Sequence, residues 1–254
     1  MAGTSVSTAV ISGSLALLRQ YFIDGWWPSG SPVVSDSLDP SSALLKAVLI
    51  NGAQTLDGVQ LENGTTYAVA DYDMNIGFGR VNLNKSLPIE GNNDLNATLV
   101  DRKIINEAEE HSYEYTISSE DCRSYEFSAT LVWVDPPASP GCIKCLLNDL
   151  DLTITSLNGE TYYANGMSFL DETNNVERIR ISASKGETIT INVSASNLST
   201  QNQKYALVMT DDCSGTSSSI ISSSPSTAPI IISSSKEKKN KKKKKKRKKK
   251  KQKA

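Results

Sequence analysis

The sequence predicts a helical first third, an all-β sandwich or jelly roll behind it, and a disordered tail. Three observations carry this reading. Apolar residues recur at helical spacing over 6–22 and again after Pro40. After Leu87-Pro88 the pattern changes to short β-branched and aromatic runs separated by turns. From Ser214 onward the chain is Ser-rich and then Lys-rich low complexity. The implied boundaries are 1–88, 95–213 and 214–254.

In the first helix Val10, Ile11, Leu15, Leu17, Leu18 and Phe22 form the apolar repeat, with Ser12, Gly13, Ser14 and Ala16 between them. A loop rich in Gly, Pro, Ser and Trp follows, from Asp24 to Asp39. The second helix has Asp39 or Ser41 as its N-cap, Pro40 suited to the first turn, and Gly52 just past its end. Its apolar residues are Leu44, Leu45, Val48, Leu49 and Ile50. Strands are expected at 97–105, 112–118, 124–134, 148–155, 160–164, 176–182, 186–194 and 203–210. The Asn158-Gly159 pair predicts a type I′ hairpin between two of them. The tail from 214 cannot bury enough apolar surface to offset its ordering entropy and is expected to be disordered.

Net charge hides an asymmetry. The chain has 27 Lys+Arg and 28 Asp+Glu. Residues 236–254 hold 14 Lys and one Arg against one Glu, which leaves 12 basic and 27 acidic residues in the rest. The body is therefore near −15 and the tail near +14. The run Lys241–Lys246, Arg247 and Lys248–Lys251 lacks aromatics for base stacking, so nucleic acid is not the expected partner. No run of about 18 apolar residues is found, and no membrane span is expected. The first residues have neither a basic region nor a cleavage site of a signal peptide. Sequons at Asn63, Asn84, Asn96, Asn192 and Asn197 permit a secreted protein. The four cysteines, Cys122, Cys142, Cys145 and Cys213, all lie in the second half. Disulfides within one β domain, in any of three connectivities, are the expected use, ahead of free thiols or a metal set.

One segment carries chemistry. Gly3-Thr4-Ser5-Val6-Ser7-Thr8-Ala9 runs into a helix of small residues. Further on come Pro40-Ser41-x-x-Leu44-Leu45-Lys46-Ala47-x-Leu49-Ile50-Asn51-Gly52-Ala53 and Gly77-x-Gly79-x-Val81-Asn82. These three elements, in this order over about 85 residues, resemble the end of a subtilase catalytic domain. That family has Met and Pro where this chain has Val6 and Ala9. The resemblance implies an α/β fragment with a parallel sheet and helices over residues 1–88. It also implies a serine endopeptidase acting on protein or peptide substrates, in a secreted or extracellular setting. Ser5 would be the acylated nucleophile: at a helix start its Oγ and N–H stand at the positive end of the helix dipole. Subtilases also need an Asp and a His before the Ser, and an Asn for the oxyanion. Only four residues precede Ser5, and the sole histidine, His111, reads as a solvated surface residue. The chain alone is therefore expected not to hydrolyse peptides.

The second half has its own resemblance. Leu131-Val132-Trp133-Val134-Asp135-Pro136, Leu147-Asn148-Asp149-Leu150-Asp151-Leu152, Asn158-Gly159 and Asn174-Asn175-Val176-Glu177 are similar to the jelly roll that follows the catalytic domain in some alkaline subtilases. That resemblance implies structural calcium and no organic cofactor. On an extended strand Asp149 and Asp151 face the same way, roughly 6.5–7 Å apart, with Leu150, Leu152 and Ile154 on the core side. Oxygens near Asn174, Asn175 and Glu177 would complete a hard-cation set, Asp149, Asp151 and Asn175 being the candidate ligands. The alternative to a protease is a non-catalytic remnant: a β module that binds calcium or a partner. A weaker alternative is a nucleic-acid binder working through the tail.

Overall fold

The computed structural model describes residues 3–56, 58–61, 63–70, 72–73, 76–117, 124–214 and 230–232. The predicted tail, apart from 230–232, lies outside the described residues beyond 214. Two compact units are found, one built from 1–54 and 71–220, the other from 55–70 and 221–254. In the second, β1 (Val59–Leu61) pairs antiparallel with β2 (Thr66–Tyr67) and parallel with β11 (Ile230–Ile232).

The first unit begins with α1 (Thr4–Ile23) and α2 (Ser42–Asn51). Eight strands follow: β3 (Asn96–Ile105), β4 (Glu110–Thr116), β5 (Ser124–Trp133), β6 (Asn148–Thr155), β7 (Thr161–Tyr163), β8 (Val176–Ala183), β9 (Thr188–Leu198) and β10 (Gln203–Ser214). They fall where the period-2 runs placed them. They form two four-stranded antiparallel sheets, ordered β3-β10-β5-β8 and β4-β9-β6-β7. Except at the β6–β7 hairpin, each strand crosses to the opposite sheet from the one before it. Between the sheets lies a core that includes Phe127, Leu131, Trp133, Leu150, Ile191 and Leu207, all 1% exposed or less. Trp133 buries its indole N–H without cost by donating to Asn148 O at 2.9 Å.

The α/β parallel-sheet fragment expected for residues 1–88 does not form. The two helices instead join one apolar cluster with the outer face of the β3-β10-β5-β8 sheet. Leu44, Ala47 and Val48 of α2 and Leu18 and Phe22 of α1 share it with Val132, Val176, Ala206 and Val208. Hydrophobic burial is non-directional, so a helix face that reads as the cover of a parallel sheet is equally satisfied by an antiparallel one. Among the described residues the only parallel pairing is the three-residue contact of β1 with β11.

Local chemistry explains the docking of α2. Ser41 caps its start by accepting from Leu44 N at 3.0 Å, which leaves Pro40 outside the helix rather than in its first turn. Gly52 ends the helix at φ −82°, not in the left-handed region. A Cβ there would stand 2.7 Å from Lys85 O, so close approach selects the glycine. The carbonyl end of α2 is gripped by two arginines of β8. Arg178 donates to Ile50 O at 3.1 Å and stacks over Phe78, and Arg180 donates to Ala53 O at 2.7 Å. Both cations oppose the negative end of the helix dipole.

One further expectation is corrected. The β6–β7 hairpin turns through Leu157 and Asn158, with Gly159 N bonded to Ser156 O and only Gly159 at positive φ. A type I′ turn would need positive φ at Asn158 as well. By length and composition α1 is apolar enough to cross a membrane, a test that the core helix of a globular protein also passes. Its Leu18 and Phe22 are buried in the helix–sheet cluster.

Asn51 is the polar pin of this interface. It is 2% exposed, donates to Thr210 Oγ1 at 2.7 Å, and accepts from Ser128 Oγ at 2.9 Å and Thr130 Oγ1 at 2.8 Å. Replacing it by Ala strands three buried hydroxyls. Asn51→Ala is expected to lower unfolding stability by about 3 kcal/mol, measured by urea denaturation. A loss under about 1 kcal/mol would mean that the hydroxyls find other partners.

Candidate functional site

Ser5 is the second residue of α1, and its side chain is exposed. Gly3 precedes the helix at φ 142° and opens the first turn, with its O accepting from Val6 N and Ser7 N. No side chain caps this end, so Ser5 N–H is one of the first-turn donors without an intrahelical partner. Thr8 and Ser12 turn their hydroxyls back to Thr4 O and Thr8 O. Val6, Val10 and Leu17 are solvent-exposed on the same helix. The arrangement presents a hydroxyl and a main-chain donor together, and among the described residues no base is hydrogen-bonded to the hydroxyl.

His111 is not the solvated side chain expected from sequence. It is half-buried on β4, with Nδ1 2.7 Å from Tyr205 Oη, which in turn lies 2.5 Å from Tyr113 Oη. Burial, and then the Lys103 charge, push its pKa below the usual histidine value, while Glu109 opposes them. A broad cleft of about 1150 Å³, lined by Trp27, Glu90, Asp94, Tyr115 and others, contains neither Ser5 nor the acidic residues described next.

The acidic cluster is built on β6 and β8. Asp149, Asp151, Glu177 and Asp171 are all 5% exposed or less. Leu150, Leu152 and Ile154 point into the core, as strand alternation requires. A bulge in β9 shapes the site. Asp149 pairs with Asn197 and Leu150 with Ala195, which leaves Ser196 as the extra residue. The Ser196 hydroxyl donates to Asp151 Oδ2. Pairing of β7 with β6 reaches only to Thr153, and Glu177 Oε2 takes the next amide, Leu152 N, at 2.5 Å. Asp171 is fully engaged by Thr173 N, Asn174 N, Asn165 Nδ2 and Asn174 Nδ2.

Three oxygens remain: Asp149 Oδ1, Asp151 Oδ1 and Glu177 Oε1 are buried without a hydrogen-bond partner. Burial raises the pKa of all three groups. Asp151 is pushed up to about 6, Glu177 well above the usual carboxylate range, and Asp149 upward against the opposing Lys144 charge. Orphaned buried carboxylate oxygens, with the Ser196 hydroxyl beside them, fit a hard cation such as Ca²⁺. Among the described residues no three His, Cys, Asp or Glu side chains form a ready-made metal cage. An ion here would therefore add main-chain or water oxygens to the carboxylates, as Ca²⁺ commonly does. Asn175, a candidate ligand from sequence, donates its amide N–H to Trp133 O at 3.2 Å, which leaves Oδ1 as the atom that would face a cation. Ser196, Asp171 and Lys144 had no sequence signal, because the bulge and two loops bring them in.

The loop between β5 and β6 borders the cluster. Cys142 and Cys145 form a disulfide in it, with Cα atoms 5.3 Å apart. Of the other two cysteines, Cys122 lies outside the described residues and the side chain of Cys213 is not described. Lys144, between the bonded cysteines, places Nζ 3.0 Å from Glu172 Oε2 and 3.5 Å from Asp149 Oδ2.

No protein-family model matches the chain. It is similar to proteins named serine protease/ABC transporter B family proteins from Dictyostelium discoideum. With tagD it is 31% identical over 226 residues, and with tagA 30% identical over 225. The matches cover 70% and 82% of this chain but only 12% of either relative. The chain thus spans about an eighth of the length of these relatives. A solved protein from Sulfurospirillum deleyianum matches 48% of this chain and 99% of its own at 11% identity, with a TM-score of 0.28.

The cluster fixes a pH dependence. The folded state raises these carboxylate pKa values, so it holds their protons more tightly than the unfolded chain does. The contribution of Asp151 to stability is full below about pH 4 and is lost as pH rises through about 6, and those of Asp149 and Glu177 fall in the same sense as pH rises. His111, with its lowered pKa, acts oppositely over an overlapping range. With divalent cations chelated, Asp151→Asn is expected to gain stability over the original chain between pH 5 and 7.5, by on the order of 2–3 kcal/mol at the upper end. Thermal unfolding of both proteins across that range checks it, and parallel curves would contradict it.

Proposed function

We propose that this chain is a segment of a subtilisin-like serine endopeptidase, acting on protein or peptide substrates, with calcium as the structural ion of its β-sandwich. The similarity to proteins named serine protease, over most of this chain, carries the reading. The position of Ser5 supports its residue-level part. With the remainder of a catalytic domain in place, Ser5 Oγ attacks the scissile carbonyl after a histidine base takes its proton. The Ser5 N–H then donates to the developing oxyanion, aided by the positive end of α1. A secreted setting agrees with the disulfide in the β5–β6 loop. Asp149 and Asp151 would hold the calcium, with Glu177 beside them. The ion would neutralise carboxylates that otherwise remain protonated or costly to bury.

A second reading is favoured by the surroundings of Ser5. Among the described residues its hydroxyl has no base bonded to it, and His111 is bonded to Tyr205. On this reading the chain is a β module that binds calcium or a partner.

The two readings separate in a chimaera in which this chain replaces the matching segment of the tagD relative. Peptide hydrolysis is expected from the chimaera, and Ser5→Ala should reduce turnover by on the order of 10⁴–10⁶. Turnover indifferent to Ser5 overturns the protease reading. The isolated chain is expected to show no turnover. For the calcium reading, Ca²⁺ at a hundredfold excess over its Kd is expected to raise the melting temperature by about 5–10 °C. Asp151→Ala should abolish the rise, and an unchanged melting temperature in calcium removes the ion.

A further inference from the structure

The β5–β6 loop has an odd distribution of side chains. Ile143 is 105% exposed, while its neighbour Lys144 turns towards carboxylates. Hydrophobicity alone would select the reverse. The disulfide supplies the reason, since a ring closed between Cys142 and Cys145 fixes the directions of the two residues inside it. The loop is also anchored where it enters β6. Asp135 accepts from Leu147 N at 2.9 Å and Asn148 N at 2.8 Å. A stapled and anchored loop thus delivers one ammonium group to a cluster of buried carboxylates.

We propose that Lys144 is a tethered competitor for the cation: it serves as counter-ion to Asp149 while no metal is bound, and it swings away when a divalent ion enters. This rests on the cation reading of the cluster. The geometry supports displacement rather than permanent pairing. Lys144 lies 3.5 Å from Asp149 Oδ2 and leaves Asp149 Oδ1, Asp151 Oδ1 and Glu177 Oε1 unpartnered. A single positive charge therefore only partly satisfies the cluster. The lysine side chain is 50% exposed and rehydrates readily once released, while Glu172, 73% exposed, offers it a resting place at 3.0 Å. A divalent ion brings twice the charge to the buried oxygens and loses only a half-exposed competitor. The chain's own lysine thus lowers cation affinity and discourages monovalent ions.

The test is calorimetric titration of the whole chain with CaCl₂, with melting temperature as a second readout. Lys144→Gln is expected to bind about fivefold more tightly than the original chain. Lys144→Arg, which keeps the charge, should stay within about twofold. Lys85→Gln removes an equal charge paired elsewhere, with Asp212, and should leave affinity unchanged. Replacing both Cys142 and Cys145 by Ser should shift affinity in the direction of Lys144→Gln, because the loop no longer aims the ammonium. Calcium binding seen only in Lys144→Gln would support competition in its strongest form. If Lys144→Gln binds like the original chain while Asp151→Asn weakens binding, the cation site stands and the competitor is overturned. Equal tightening by Lys144→Arg and Lys144→Gln also overturns it, since charge is then not the cause. The paired serine variant with unaltered affinity overturns the tether. No heat and no melting shift in either the original chain or Lys144→Gln overturns the cation reading and this proposal together.

Discussion

The central strands β10 and β5 of the β3-β10-β5-β8 sheet are buried on both faces, and most of the first unit is organised by that demand. Along β10, Tyr205, Leu207 and Met209 lie in the core between the sheets, while Ala206 and Val208 join the helix-packed cluster. All five are 1% exposed or less. Such a stretch has no polar face to spare, and over residues 205–209 the sequence runs apolar without break. The helix α2 is therefore as necessary to the sandwich as the second sheet. Polar residues on the helix-covered face are admitted where Asn51 reaches them, at Ser128, Thr130 and Thr210. Arg178 and Arg180 complete the contact by serving the carbonyls at the end of α2.

The second constraint is electrostatic. Burying an ionised carboxylate without partners is costly, and proteins escape by protonation, pairing or metal binding. All three outlets meet at the edge of the sandwich. Asp151 and Glu177 are displaced towards the protonated form, Asp149 is partly paired with Lys144, and each of the three keeps one free oxygen. The bulge at Ser196 adds a hydroxyl that donates to Asp151. Such a cluster is a poor contributor to stability by itself, which is why its occupancy and its pH response are informative about function.

Much of this was legible in the sequence. The eight strands, the two helices, the Ser41 cap and the inward Leu150-Leu152-Ile154 face follow from periodicity and capping chemistry. The acidic pair Asp149 and Asp151 was visible for the same reason, since strand alternation excludes both from the core. The parallel sheet was misjudged because an apolar helix face states that it will be covered and not by what. His111 was misjudged because its partner, Tyr205, is 94 residues away. The donation of Asn175 Nδ2 to the Trp133 carbonyl gave no signal either, because that contact needs the β5–β8 register to exist. Lys144 gave no signal because a lone lysine in a Pro-rich loop is ordinary until a disulfide aims it.

The pairing of β3 with β10 joins the first strand of the sandwich to its last. Asn96 lies opposite Asp211, so the chain enters and leaves the sandwich side by side. A domain with adjacent ends can be carried as a loop of a longer polypeptide, the host needing a gap of only about 5 Å between neighbouring strands. Such pairing also asks the chain to close a loop of more than a hundred residues before its central sheet exists. Assembly should accordingly be slow and late, completed only when the final strand is available. Trimming from either end would remove a partner from the same ladder, which makes the sandwich tolerant of insertion into a larger protein and intolerant of truncation.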